Sequence, residues 1–520
     1  MIEKIQIQTD PRTAATELML LKLVSDKLYI DPNRIKKIVV TGRSIDARQR
    51  AVKVNLRLTL YIDEIPQQSS LLVPETYEIL SEKSPKVVIV GAGPAGLFAA
   101  LRLIQLGIRP VILERGKDVD TRRKDLAQIS REGKVDADSN YCFGEGGAGA
   151  YSDGKLFTRS KKRGNTDRIL NILCQHGAKE DILIESHPHI GTDRLPEIIK
   201  NIRKTIEHCG GEVRFQTKVA DLLIKNDRAI GVHTNKGDYY GPVILATGHS
   251  ARDTYSMLHG VGVKLTPKGI AVGVRLEHPQ VLIDRIRYHS KEGRSKYLPP
   301  AEYTFLTRVD RRAVYSFCMC PGGIVVPSAS SPGEIVVNGM SPSNRGSRWA
   351  NSAMVVEVLP EDIFPGNENP LKMMDFQAKI ESDFFCNGDG SQNAPAQLMT
   401  DFVKGQKSET LPPTSYAPGV HSERVDKLLP DFISYRLKKG FQEFDRKNRG
   451  FLTDKALVIG NETRTSSPVR IERDSVSLQS VTLPGVFPCG EGAGYAGGIV
   501  SAAMDGENVA DAVAQYLKKQ

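Results

Sequence analysis

Lys86–Gly96 reads KVVIVGAGPAG, and the rest of the chain is organised around it. Val87–Val90 is a run of four apolar residues, as expected of a buried strand. Gly91, Gly93 and Gly96 fill a G-x-G-x-x-G frame, and Leu97–Gln105 follows with a helical pattern. Eighteen residues after Gly96, Glu114 closes a second apolar run, Val111–Leu113. Strand, glycine turn, helix, strand and acid in that order form the βαβ unit that holds a dinucleotide. Gly91 permits the turn, Gly93 keeps a side chain off the pyrophosphate, and Gly96 lets helix and strand close together. The N-terminus of the following helix then offers free N–H groups to the phosphates, and Pro94 and Ala95, inside the glycine frame, are counted with the same site. Glu114 is placed to accept from the ribose hydroxyls.

A chain of 520 residues can bury large cores and suggests two to four domains. The opening residues MIEKIQIQTD carry no secretory pattern. The most apolar stretch, Val87–Leu103, holds three glycines, a proline and Arg102, so it suits the nucleotide unit better than a membrane span. Seven scattered cysteines, with no C-x-x-C and no paired zinc spacing, read as reduced thiols in a cytoplasmic protein. The net charge of +10 suits anionic ligands, and nucleic acid is a second expectation from it. A short basic run, Arg159, Lys161, Lys162 and Arg163, and the arginines 43, 48 and 50 around a turn are the places for such contacts.

Residues 1–82 read as a small α+β domain, with a helix at Ala14–Lys27 and strands at Arg34–Thr41 and Val52–Ile62. Glu82–Pro85 links it to the nucleotide unit. Residues 84–264 read as the first part of that unit's domain, 265–460 as a β-rich substrate or cap domain, and 461–520 as the second part of the first. Leu195–Cys209 reads as a helix, followed by short strands at Val213–Val219, Leu222–Ile224, Ala229–His233 and Pro242–Leu245. The middle is read less fully, with strands at Gly269–Leu276, Ala313–Cys318, Gly323–Val326, Glu334–Asn338 and Ala353–Val358. Helices are expected at Pro279–Tyr288, Met373–Cys386 and Leu428–Phe441, and Asn387–Ser415 reads mostly as loop. The last strand, Val486–Cys489, precedes a helix from Ile499 to Leu517.

Two more segments combine with the opening stretch. Asn140–Leu156, NYCFGEGGAGAYSDGKL, has five glycines in seventeen residues and suits a loop that approaches a ligand closely. Gly485–Gly506, GVFPCGEGAGYAGGIVSAAMDG, runs strand, glycine turn, helix. With the E-R-G after the second strand and the ATG at Ala246–Gly248, the chain resembles the glutathione-reductase-type FAD superfamily. The GEGGAG…SDGKL phrase resembles a bacterial group of FAD-dependent dehydrogenases of unassigned substrate, over the whole chain. The resemblance implies an α/β fold: a discontinuous Rossmann-like FAD domain, an inserted β-rich domain and the small leading domain.

It also implies noncovalent FAD, since no histidine lies in Gly144–Lys155. On this reading Arg115 and Arg122 help with pyrophosphate or adenosine, and Gly146, Gly147, Ala148 and Ser152 line the flavin and pyrophosphate. Val219 meets adenine, and Thr247 and Gly248 close beside the nucleotide. Gly490 and Glu491 meet the ribityl chain, and Gly498, Ile499 and Val500 face the flavin N1 and O2. Glu491 stands where disulfide reductases usually have Asp, as in the fumarate-reductase-like branch. The missing C-x-x-C also separates the chain from those reductases.

The G-x-G-x-x-G spacing recurs at Gly144–Gly149 and Gly492–Gly497, but neither copy sits in a βαβ unit. NAD(P)H is therefore expected only as a transient electron donor. For an anionic substrate, Arg464 and Arg345 are the candidate clamps, because a guanidinium pairs two-pronged with a carboxylate. His189, in SHPHIGTDRL, is the candidate proton carrier, and two histidines at this spacing lack the further ligands a metal needs. Cys318 and Cys320 would face one side of a strand, with a packing role. The expected activity is hydride exchange between flavin N5 and a small molecule. An RNA-modifying flavoenzyme and a non-enzymatic flavin-binding sensor stand beside it. Substrate, direction of electron flow and oligomeric state are not read from the sequence.

Overall fold

The computed structural model describes residues 1–66, 70–158, 164–366 and 369–519. Among these, no helix is long and apolar enough to cross a membrane. The basic run at Arg159, Lys161, Lys162 and Arg163 lies outside the described residues.

The apolar run at the opening stretch becomes the strand Lys86–Val90, at the centre of a five-stranded parallel sheet. Its neighbours are Val243–Leu245 on one side and Arg109–Leu113 on the other, with Val486–Pro488 and Glu212–Arg214 at the edges. Both faces are covered, which explains the unbroken apolar run. Val87 and Ile89 pack against helices, and Val88 and Val90 pack under an antiparallel three-stranded meander. The helices are Pro94–Gln105 and Ile499–Leu517, which pack on each other so closely that a Cβ at Gly506 would lie 2.2 Å from the Ala95 carbonyl oxygen. One sheet is thus built from both ends of the long middle of the chain.

That middle forms a seven-stranded sheet whose central strands are Ile270–Pro279, Trp349–Val358 and Leu457–Glu462. On Ile270–Pro279 the residues 270, 272, 274 and 276 enter an apolar core with Phe441 and Phe444 of the helix Asp431–Lys447. The other face carries Arg275 and Glu277, both buried. The chain leaves the first sheet through Leu265–Pro267 and returns through Val469–Ile471, and these two short strands pair antiparallel. The fold class expected from sequence, a Rossmann-like α/β domain with a β-rich domain and a small α+β unit, is the one observed.

The N-terminal unit is a three-stranded antiparallel sheet, with Lys53–Ile62 between Ile2–Thr9 and Ile35–Asp46. The expected single helix is two, Pro11–Ala15 and Glu17–Leu28, because Thr16 is extended at φ −121°. Asp10 caps the first by accepting from the Arg12 and Thr13 amides. Of the three turn arginines, Arg43 pairs with Glu185 and Arg48 with Asp46.

Three further segments differ in detail from the sequence reading. Asn387–Ser415 is mostly loop, as expected, but it also contains the buried strand Ala394–Leu398 and the helix Met399–Lys404. APAQL lacks β-branched residues and holds Pro395, so propensity hides a strand made by packing Ala394 and Ala396 against Leu457 and Ile459. The expected strand Val213–Val219 is broken: Glu212–Arg214 joins the parallel sheet and Val219 starts the meander. Gln216, at φ 52°, makes the break, and its amide donates to the Gly116 carbonyl. The helix Val119–Glu132 was not expected from its charged sequence; Asp118 caps its start and Gly133, at φ 68°, ends it.

Candidate active site

The helix of the opening stretch begins at Pro94, with Gly93 as its N-cap and no side-chain capping bond. Ile499–Leu517 likewise starts from Gly498 without one. Both N-termini meet one cavity of about 1020 Å³, above the roughly 300–1,000 Å³ of ordinary small-molecule sites. Two uncapped helix N-termini offer unpaired N–H groups and positive dipole ends to an anion.

The cavity wall includes Gly91, Gly93, Pro94, Ala95, Glu114, Arg115, Gly147, Ala148, Ser152, Val219, Thr247, Gly248, Glu491, Gly498, Ile499 and Val500. These sequence-predicted residues come from six separate segments, so the structure brings them together. Gly96, Gly146 and Gly490 support the wall from behind. A Cβ at Gly96 would stand 2.0 Å from the Gly91 oxygen, one at Gly146 2.4 Å from Ile199, and one at Gly490 2.8 Å from the Ala95 Cβ.

Whether this cavity fits FAD can be tested on its polar atoms. Thr247 Oγ1 and Ser250 Oγ are buried without a partner among the described residues, and both residues line the cavity. Gly93 faces Gly147, where an added Cβ would meet only the Gly147 Cα at 4.0 Å. Orphaned hydroxyls, glycine-lined walls and two helix N-termini are the donor set a dinucleotide needs, and the residues fit it. Glu114 fixes the loops around it: its carboxylate accepts from the amides of Ala92 at 2.8 Å and of Gly116 and Gly144 at 2.9 Å.

Arg115 stands at the rim, paired with Asp138 and Asp253 and stacked over Phe143. Arg122 corrects the sequence reading. It is fully buried and does not reach the cavity; it donates to the carbonyls of Asn140, Glu145 and Gly147. It therefore holds the glycine-rich loop in shape from behind.

The other half of the cavity is walled by the second sheet and its loops, including Glu302, Tyr315, Cys318 and Arg345, and by His187, which lies ahead of the helix Leu195–His208. Arg345 donates to Asp153 at 3.2 Å, and its Nε is buried without a partner among the described residues. Lys155 lies beside Asp153 and donates to the Met319 carbonyl. Burial alone would raise the Asp153 pKa, but Lys155 and Arg345 outweigh it and hold the carboxyl below its usual value.

Arg464 also lines the cavity, but the reading of it as a free clamp is corrected. Its guanidinium is spent on Glu381, Glu334 and Ser330, with the Glu381 bonds at 3.0 and 2.7 Å. Arg252 binds the same two carboxylates, which closes a four-charge cluster with Glu381 and Arg464 buried and Arg252 and Glu334 half-buried. Of the two histidines, His189 is turned away: its Nε2 faces the Ser343 carbonyl at 3.2 Å, and burial, then the Arg345 charge, push its pKa down.

His187 is the one at the cavity, with Nδ1 2.6 Å from Glu302. That bond raises the His187 pKa above its ordinary value, against partial burial. The stabilisation is full below about pH 6.5, the unfolded value, and is lost as pH rises through the higher folded value. Both side chains are well exposed, 61% and 39%, so the pair contributes less than about 1 kcal/mol. Histidine NMR titration is expected to place the His187 midpoint above that of an ordinary histidine, and Glu302→Gln to lower it. An unchanged midpoint would remove the pair from the account. Neither position in S-H-P-H is distinguished by spacing; only the docking of Pro188, whose carbonyl accepts from the Leu156 amide, decides which ring faces inward.

Residues 84–129 match a family described as FAD binding domain, and residues 269–465 match one described as FAD-dependent protein, C-terminal domain-like. Residues 1–61 match a domain of unknown function. An uncharacterised protein of Clostridium beijerinckii is 42% identical over 513 residues, covering 95% of each chain. Among solved structures, a geranylgeranyl bacteriochlorophyll reductase-like protein of Thermoplasma acidophilum aligns over 84% of this chain and 80% of its own, at 13% identity and TM-score 0.35. A flavin-dependent brominase aligns over 84% and 79%, at 15% identity and TM-score 0.38.

Proposed function

The chain belongs to one family with the Clostridium beijerinckii protein and carries an FAD-binding domain, and on that footing we propose that it is an oxidoreductase acting on a small anionic substrate. When bound, FAD supplies two-electron chemistry, taking or giving hydride at N5.

The chain's own residues do the rest. The N-termini at Gly93 and Gly498 receive negative charge. Arg345, with its Nε unpartnered among the described residues, and Lys155 hold the substrate's anionic group. His187, and not His189, has the proton role, because Glu302 occupies its Nδ1 and leaves Nε2 to exchange a proton. Arg464 orders the wall through its carboxylates and does not bind substrate.

The observation that carries this reading is the single cavity joining both helix N-termini to a wall bearing Arg345, Lys155 and His187. The test is anaerobic mixing of the yellow holoprotein with a panel of carboxylates and other small anions, with NADH and NADPH alongside as electron donors. An anionic compound is expected to bleach the visible flavin band or to restore it after reduction. Arg345→Leu is expected to raise the concentration needed by about 10- to 100-fold, the value of a lost charge-assisted bond. A panel without effect in either direction, or an Arg345→Leu protein with unchanged concentration dependence, would overturn the reading.

A further inference from the structure

Cys318 and Cys320 lie where the second sheet meets the cavity. The strand Arg312–Cys320 pairs with Trp349–Val358 through Phe317↔Ala353 and Cys320↔Asn351, so Cys318 and Met319 together oppose the single residue Ser352. That is a bulge, and it interrupts the alternation of faces. Cys318 sits in it at φ 47°, a left-handed conformation that a side chain seldom adopts. Such strain persists where the surroundings impose it, and often where function does.

The surroundings are polar and cationic. Arg275, fully buried, donates from Nη2 to the Cys318 carbonyl at 2.9 Å and to the Cys320 sulfur at 3.4 Å. Its Nη1 faces Glu462 at 3.2 Å. Lys155 is held on the intervening Met319 carbonyl. Cys318 lines the cavity, while Cys320 is buried just behind it. The Cys320 thiol itself donates to the Cys318 carbonyl at 3.4 Å, which holds its sulfur against Cys318. A packing role explains none of this, since a thiol needs neither a left-handed backbone nor two cations in order to fill space.

We propose that Cys318 and Cys320 are a redox-active dithiol–disulfide pair, with Cys318 the attacking thiol and Cys320 the resolving one, that exchanges with a small-molecule disulfide entering the cavity. The Cys318 thiolate attacks one sulfur of the disulfide RSSR, that S–S bond breaks, and RS⁻ leaves to take up a proton as RSH. The Cys320 thiol then loses its proton and attacks the Cys318 sulfur, releasing the second RSH. Two electrons pass from the pair to RSSR, and the two thiol protons end on the two RSH. The Cys320 hydrogen bond, then the Lys155 and Arg275 charges, pull the Cys318 pKa down to about 6 against burial, with Asp153 opposing them. Sharing with Cys318, then burial, push Cys320 up. That order makes Cys318 the nucleophile at neutral pH. The pair stands on its own residues and does not depend on the flavin reading.

The test incubates holoprotein with hydroxyethyl disulfide, quenches in acid, alkylates free thiols and weighs the tryptic peptide Ala313–Arg345, which holds no other cysteine. Cys386, exposed and single, is the internal control. The wild type is expected to lose both thiols together and to carry no adduct. Cys320→Ser is expected to trap the adduct on Cys318, and Cys318→Ser to leave Cys320 unreacted. Alkylation of Cys318 at pH 7 is expected to outrun that of Cys386, because Lys155 and Arg275 beside Cys318 favour its thiolate. Two free thiols at disulfide concentrations that convert Cys386, or a stable adduct on the wild-type peptide, would overturn the proposal. The wild-type result decides by itself if a variant fails to fold.

Discussion

Gly93→Val is expected to give a folded protein without cofactor. The position is an N-cap in an extended conformation, φ −77° and ψ −177°, which valine adopts readily. Nothing in the protein resists the first added carbon, whose nearest neighbour is the Gly147 Cα at 4.0 Å. The branched methyls instead fill the space between the helix N-terminus and the Gly147 loop, where the phosphates must approach. The flavin absorbance per chain of purified protein should fall more than about tenfold, the cost of a blocked approach exceeding the roughly 1.4 kcal/mol of one decade in binding. The far-ultraviolet circular dichroism should match wild type, and the melting temperature should match the wild-type apoprotein rather than the holoprotein, because a lost ligand lowers apparent stability. Three residues on, Gly96→Ala should behave oppositely. Its Cβ would meet the Gly91 oxygen at 2.0 Å, a backbone atom that cannot step aside. Full flavin occupancy in the Gly93 variant would mean that the phosphates lie elsewhere.

The second large effect is expected at Glu381. This carboxylate is fully buried, binds Arg464 at two oxygens, binds Arg252, and accepts from the Thr463 hydroxyl at 2.5 Å. Burial pushes its pKa up, but Arg464 and Arg252 outweigh this and hold it at about 2. Glu381→Gln leaves the buried Arg464 and the half-buried Arg252 sharing the Glu334 carboxylate. Breaking a buried pair from one side costs about 3–5 kcal/mol, a large part of the roughly 5–15 kcal/mol a domain has. Urea unfolding should show the loss as a lower midpoint with an unchanged slope. The depressed pKa also sets an acid limit. The stabilisation is present above about pH 4.3, and is lost as the pH falls toward the folded value of about 2. A variant within 1 kcal/mol of wild type would show that the cluster is not a structural unit.

These two sites differ in how far the sequence discloses them. KVVIVGAGPAG is legible because each glycine answers a local demand, a turn or a close approach, that no other residue meets. The segments Asn140–Leu156 and Gly485–Gly506 are legible for the same reason. The cluster of Arg252, Glu334, Glu381 and Arg464 is not, because its members lie on four unrelated segments and nothing in their spacing marks them as neighbours. An arginine near a cofactor reads as an anion clamp until its carboxylates are seen. Arg122 misleads in the same way, since carbonyl groups of a folded loop leave no trace in sequence. For Cys318 and Cys320 the signal is present but points elsewhere. Two residues apart on a regular strand would share a face, whereas the bulge that joins them depends on a partner strand more than thirty residues on.

The paired strands Leu265–Pro267 and Val469–Ile471 bear on how such a protein could have arisen. The seven-stranded unit enters and leaves the parallel-sheet unit at neighbouring points, about 4.8 Å apart across a ladder. Joined directly at that stem, the cofactor-binding half would close with a tight turn and almost no loop entropy. The larger unit is thus a graft on a two-strand rootstock. Its interior can change by insertion or exchange while the nucleotide half keeps its register, so new substrates could be acquired without relearning how to hold the cofactor.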